Sequence, residues 1–275
     1  MLSSFLLSFR EGLEAALVIG IVLGALHKIG RQELRRVVGY GVAAAVIVSL
    51  VAAVILQGIG AEFEGRAEEI YEGIAMLSAA ILLTWMIFWM KNQAGSLQHE
   101  LELHVKKAVS QGSARALFVL VFLAVGREGL ELGLFLTAST FASNAFQTVS
   151  GALLGLAASA VLGYLLFATT RRLSLKRFFQ VTNLLLVLFA AGLLAHGIHE
   201  FNQAGLVPAG IEHVWDLNPL FDEQSVPGQV LASLFGYNGN PSLTEVGAYL
   251  GYFVLLWLLF RQIVSGLSNP PPAQR

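Results

Sequence analysis

Apolar residues fill this chain in long blocks, with the polar residues gathered between them. Seven blocks reach about 20 residues or more, the length at which a helix crosses the hydrocarbon core of a bilayer. They fall at residues 2–26, 37–59, 70–90, 116–141, 149–170, 181–201 and 243–263. A shorter segment, 97–109 (L-Q-H-E-L-E-L-H-V-K-K-A-V), is too polar to span and predicts an amphipathic helix at the membrane surface. Residues 202–242 form the longest connection, punctuated by Asn218-Pro219, Pro227-Gly228 and Asn240-Pro241. Inside it the apolar stretch 230–235 is expected to dip into the interface. The pattern predicts an all-α, polytopic membrane protein of seven transmembrane helices, one domain over 1–267, with a tail at 268–275.

Composition narrows the chemistry. The chain is 56% hydrophobic and 13% charged, about half the charged fraction of a soluble domain. A net charge of −1 argues against a nucleic-acid partner, which calls for a basic surface. Cysteine is absent, which removes disulfides, thiolate metal sites and thiol catalysis, and leaves carboxylates and six histidines as possible ligands. There is no P-loop, so ATP is not the direct driver, and no haem, flavin or nucleotide motif calls for an organic cofactor. The opening M-L-S-S-F-L-L-S-F has no basic segment and reads as the start of the first span rather than a signal peptide.

Basic residues set the orientation. The first connection holds Lys28, Arg31, Arg35 and Arg36; the third holds Lys91, Lys106, Lys107 and Arg115; the fifth holds Arg171, Arg172, Lys176 and Arg177. Arg261 and Arg275 lie at the C-terminal end, whereas the alternate connections hold only Arg66. The N-terminus is therefore expected outside and the C-terminus in the cytoplasm of a bacterial inner membrane.

Two basic residues do not fit this scheme, because they lie inside spans. Arg10 opens R-E-G-L-E in the first span and Arg127 opens R-E-G-L-E in the fourth. Six charged side chains at the bilayer centre would cost about 15–20 kcal/mol if they faced lipid. They must face protein, water or an ion. In each motif the glutamates stand at i and i+3, on one helix face. The two motifs enter from opposite sides of the membrane, three spans apart, as in a 3+3 inverted repeat (about 1–92 and 113–203) followed by one extra helix (about 243–263). Two i,i+4 ion pairs, Arg10 with Glu14 and Arg127 with Glu131, would account for a purely structural role. Four carboxylates against two guanidiniums still leave a surplus charge of −2. A hard cation would balance it, since oxygen ligands select hard metals. Glu11, Glu14, Glu128 and Glu131 are thus the candidate ligands, with Arg10 and Arg127 supporting them.

Two R-E-x-x-E motifs in the first and fourth of seven spans, with the late G-Y-N-G-N-P-S-L-T-E-V segment, resemble the oxidase-dependent iron permeases of the fungal Ftr and bacterial EfeU type. The resemblance implies import of iron, ferric and delivered by an iron-oxidising partner at the outer face, with the motif glutamates required. Related permeases with a similar motif are associated with lead uptake. It implies a transporter and not an enzyme. Two other functions fit the same residues: a proton-coupled transporter of another metal such as lead or manganese, and a membrane-embedded metal redox enzyme.

Other polar residues cluster on the expected outer side. Glu62, Glu64, Glu68, Glu69 and Glu72, with Glu200, Glu212, Asp216, Asp222, Glu223 and Glu245, form an acidic rim that would concentrate cations. Glu69 and Glu72, at i and i+3, are its candidate capture pair. His196, His199 and Glu200 in H-G-I-H-E fall near one helix face and form a second candidate for metal or proton handling. His99, Glu102 and His104 make a solvated face on the cytoplasmic side with the spacing of an exit site.

Overall fold

A computed structural model describes residues 1–93, 97–110, 113–142, 144–168, 175–220, 222 and 225–268. The tail beyond residue 268, Arg171, Arg172, Glu223 and the side chains of His99 and Glu102 lie outside the described residues. Among those described, every regular element is a helix: α1 (Leu2–Ile29), α2 (Arg35–Ala61), α3 (Arg66–Gln93), α4 (Leu97–Ser110), α5 (Ala114–Phe141), α6 (Ala145–Ala168), α7 (Leu175–Gln203), α8 (Val226–Phe235) and α9 (Leu243–Ser268), with a 3-10 turn at Gln32–Leu34. Six helices, α1, α2, α3, α6, α7 and α9, are long and apolar enough to cross a membrane. The protein is a multi-pass membrane protein. α5 matches them at 28 residues but carries Arg127, Glu128 and Glu131 at its centre.

Local signals place the helix ends. α1 stops at Gly30, whose left-handed backbone (φ 75°) lets its N–H return to the His27 carbonyl and the Arg31 N–H to the Leu26 carbonyl. α5 starts at Ser113, whose hydroxyl accepts the Ala116 N–H. α9 begins with a capping box, S-L-T-E: Ser242 Oγ accepts the Glu245 N–H and Glu245 Oε1 accepts the Ser242 N–H.

α1 packs chiefly on α6, α2 on α5 and α3 on α7, while α1 also crosses α5. Small residues set the first two contacts. Gly12 faces Ser159 and Gly163 faces Ala16 across α1 and α6; Gly129 faces Ser49 and Gly133 faces Ala53 across α5 and α2. Positions rise together in both pairs, so each runs parallel. Exchanging α1 with α5 and α2 with α6 maps one contact onto the other, down to a glycine of R-E-G-L-E against a serine. A methyl at Gly129 would lie 2.7 Å from Ser49 Cβ, whereas one at Gly24 meets nothing within 4 Å. Gly129→Ala is therefore expected to destabilise the protein by about 1–3 kcal/mol through overpacking. Gly24→Ala should leave thermal unfolding in detergent unchanged; equal melting of the two variants would contradict the contact.

Two apolar clusters fill the interior. One joins Leu7, Met76, Leu83, Met86, Phe135, Phe189, Leu193 and Tyr252; the other joins Val22, Leu26, Val38, Val105, Val109, Leu117 and Val121. Along α1 and along α5, the two motifs lie between them. α4 is more than a surface helix, because Leu101, Val105, Ala108 and Val109 are buried and it packs on α1 and α5. α8 is longer than the apolar stretch 230–235 and packs on α7 and α1. Large exposed apolar side chains cover α2, α6 and α9, among them Ile47, Val54, Leu153, Val161, Val254 and Trp257. These are the surfaces suited to lipid.

A carboxylate cluster between two crossing helices

The crossing of α1 and α5 brings the two motifs into one cluster. Arg10 is fully buried. Its Nη1 donates to Glu11 Oε1 at 2.6 Å and its Nη2 stands 3.1 Å from Glu14 Oε1. Nη1 also touches Met86 Sδ of α3 at 2.9 Å. On α5, Arg127 Nε donates to Glu131 Oε1 at 2.7 Å, and the guanidinium carbon lies 4.2 Å from the Trp89 ring centroid and 5.6 Å from that of Trp85. One α3 segment, residues 85–89, thus touches both arginines.

Carboxylates from the two helices converge. One oxygen each from Glu11, Glu128 and Glu131 lies within 4.8 Å of the others. Glu14 is ion-paired with Arg10 and is within electrostatic reach of Glu131 and Arg127, but it does not join that triangle. The structure therefore brings three of the four expected ligands together. Glu11 Oε2 and Glu131 Oε2 are buried and accept no hydrogen bond. An ionised oxygen without a partner in such a place costs several kcal/mol, and a cation with oxygen affinity would supply the missing partner. The two i,i+4 ion pairs exist, yet they leave these oxygens unexplained.

The outer candidates separate. His196 turns back on its own helix, Nδ1 lying 3.0 Å from the Gly192 carbonyl oxygen, and lines a small pocket with Ser3, Ser139 and Ala232. His199 Nδ1 lies 2.9 Å from Glu245 Oε1 and its Nε2 lies 2.7 Å from Gln203 Nε2. Glu200 feels the charges of Glu68 and Glu69, and Glu72 feels those of Glu200 and Glu68. Among the described residues H-G-I-H-E does not close into one ligand cluster: His196 meets its own helix, whereas His199 and Glu200 feel each other and both feel Glu245. Glu245, expected in the acidic rim, is buried and also accepts from Asn238 Nδ2 at 2.8 Å. Its capping role was legible in S-L-T-E; its contact with α7 was not. Met86, Trp85 and Trp89 carry no sequence signal beyond belonging to an apolar span.

Residues 1–266 match the Iron permease FTR1 family. The chain belongs to that family. Its relatives include proteins named "Ferrous iron permease EfeU" from Escherichia coli O157:H7, 36% identical over 256 residues (92% of this chain and 93% of the relative), and from Yersinia pestis, 34% identical over 262 residues (94% and 93%). A protein of Escherichia coli strain K12 at 36% identity over 256 residues (92% and 93%) is named a putative inactive ferrous iron permease. No solved structure matches the chain. Family membership makes this protein a transporter of the iron-permease type rather than an enzyme, and iron is the substrate of that family.

Proposed function

We propose that this chain imports iron across a bacterial inner membrane through the carboxylate cluster, with Glu11, Glu128 and Glu131 as ligands and Glu14 as a fourth held in reserve by Arg10. The observation that carries the reading is the convergence of Glu11 with Glu128 and Glu131 from a second helix, with two buried oxygens unpartnered. Seven spans are needed for it, α5 being the seventh. Its charges are tolerated because they face α1 and α3 rather than lipid. The exchange of α1/α6 contacts with α5/α2 contacts supports a 3+3 inverted repeat. Basic residues in alternate connections support an N-terminus outside and a C-terminus in the cytoplasm.

The donor set is oxygen alone, which favours a hard ion. We therefore read the bound species as ferric iron, handed over at the outer face by an iron-oxidising or iron-delivering partner; the relatives named ferrous iron permeases would then take ferrous iron as the supply. Glu69, Glu72 and Glu200 collect the ion at the outer ends of α3 and α7. Rocking of the repeats then exposes the cluster inward, and protonation of the glutamates releases the ion.

Radio-iron uptake by proteoliposomes tests this, with ferric chelate or reduced ferrous iron outside and with manganese or lead as competitors. Uptake of ferric iron that a tenfold excess of manganese leaves largely intact is the expected result. No uptake of either iron form overturns the permease reading. Uptake of ferrous iron alone retains it and overturns the ferric assignment.

A further inference from the structure

The two R-E-G-L-E motifs are identical in sequence but not in surroundings. Arg10 has no exposed surface and holds both glutamates of its own motif. Arg127 keeps 34% of its side chain exposed and pairs with Glu131 alone. Among the described residues, Glu128 makes no ion pair and accepts no hydrogen bond, although Glu11, its counterpart, lies 2.6 Å from Arg10. The difference lies in α3. Where α3 offers Met86 to Arg10, it offers two ring faces to Arg127, Trp89 at 4.2 Å and Trp85 at 5.6 Å. Both distances fall inside the range of about 6 Å over which a guanidinium is drawn to a ring face. The two rings stack on each other, centroids 6.2 Å apart, and make a shelf one helical turn long. A guanidinium resting there keeps Nε on Glu131 and makes no ion pair with Glu128 among the described residues.

We propose that Trp85 and Trp89 are positioning residues for transport, their ring faces holding Arg127 away from Glu128 so that Glu128 stays open to the incoming cation. This rests on the permease reading and adds to it a division of labour: one motif is closed by its arginine, the other is kept open by aromatic rings on a third helix. Without the rings, Arg127 is free to adopt the arrangement of Arg10, bridging both glutamates of its motif and competing with the metal. Anchoring of α3 at the membrane interface is the other role for such tryptophans, and it makes no demand on the ring's charge distribution.

The test is iron uptake in proteoliposomes by the Trp85→Leu/Trp89→Leu protein and by the corresponding Phe/Phe protein. Leucine is expected to raise KM for iron about tenfold, the scale of a partly desolvated cation–π contact, with maximal rate little changed; phenylalanine should restore most of the affinity. A second measurement avoids any folding defect. With Trp215→Phe and Trp257→Phe as background, fluorinated tryptophans enter only at 85 and 89 and weaken the ring faces with almost no change in shape. KM should rise stepwise with fluorine number. A KM that stays constant across that series while the unfluorinated protein transports normally overturns this inference alone. Absence of uptake by the wild-type protein overturns the permease reading with it.

Discussion

Glu131→Ala and Glu11→Ala are each expected to reduce iron uptake to background while the protein remains inserted and folded. Each substitution removes one corner of the carboxylate triangle and one buried oxygen that accepts no hydrogen bond. In the metal-free protein each lost carboxylate has one oxygen on its own arginine and one buried oxygen without a partner, so its removal gives up an ion pair and relieves a destabilising oxygen. Glu131→Ala should therefore melt close to wild type in detergent, and this separates a lost ligand from a lost fold. Glu14→Ala belongs to a different class. Glu14 stands outside the triangle and faces Arg10 in an ion pair. Uptake is expected to fall less than for Glu11→Ala, through a shift of Arg10 toward Glu11. Full uptake by Glu131→Ala would remove the cluster from the transport path.

What the sequence allowed to be read, and what it did not, follows from the range of the interactions. Long apolar stretches and the paired motifs are written in consecutive residues, and they appear in the structure as helices and as a cluster. The carboxylate surplus was legible as a count. The division of labour inside it was not, because Arg10 and Arg127 differ only through α3, more than 70 residues from the first and about 40 before the second. Spacing likewise placed His196, His199 and Glu200 on nearby faces of α7 without fixing their rotamers. His196 finds its own helix carbonyl four residues back, and His199 finds Glu245 on α9. Amphipathic patterning marked α4 as a helix at a polar boundary, yet its apolar side meets α1 and α5 rather than lipid. Period fixes which residues share a face; it does not say what that face meets.

The second large effect concerns the two arginines, which the sequence presents as equivalent. Arg10→Met is expected to destabilise the protein by about 3–5 kcal/mol, the cost of leaving buried charges without their partner. Arg10 is fully buried and its loss strands both Glu11 and Glu14. Arg127→Met should cost about 1–2 kcal/mol, between the exposed and buried cases, because its side chain is one-third exposed and it pairs with Glu131 alone. Thermal or denaturant unfolding of the purified proteins checks the difference. The compensating variant sharpens it. Arg10→Met combined with Glu11→Gln and Glu14→Gln removes the stranded charge along with its partner, and replacement of a whole buried ionic group is often close to neutral. The triple variant should recover most of the stability lost by Arg10→Met and still fail to transport, since it has no ligand on α1. If Arg10→Met and Arg127→Met unfold alike, the burial asymmetry has no energetic weight, and a fixed motif opposite an open one is no longer supported.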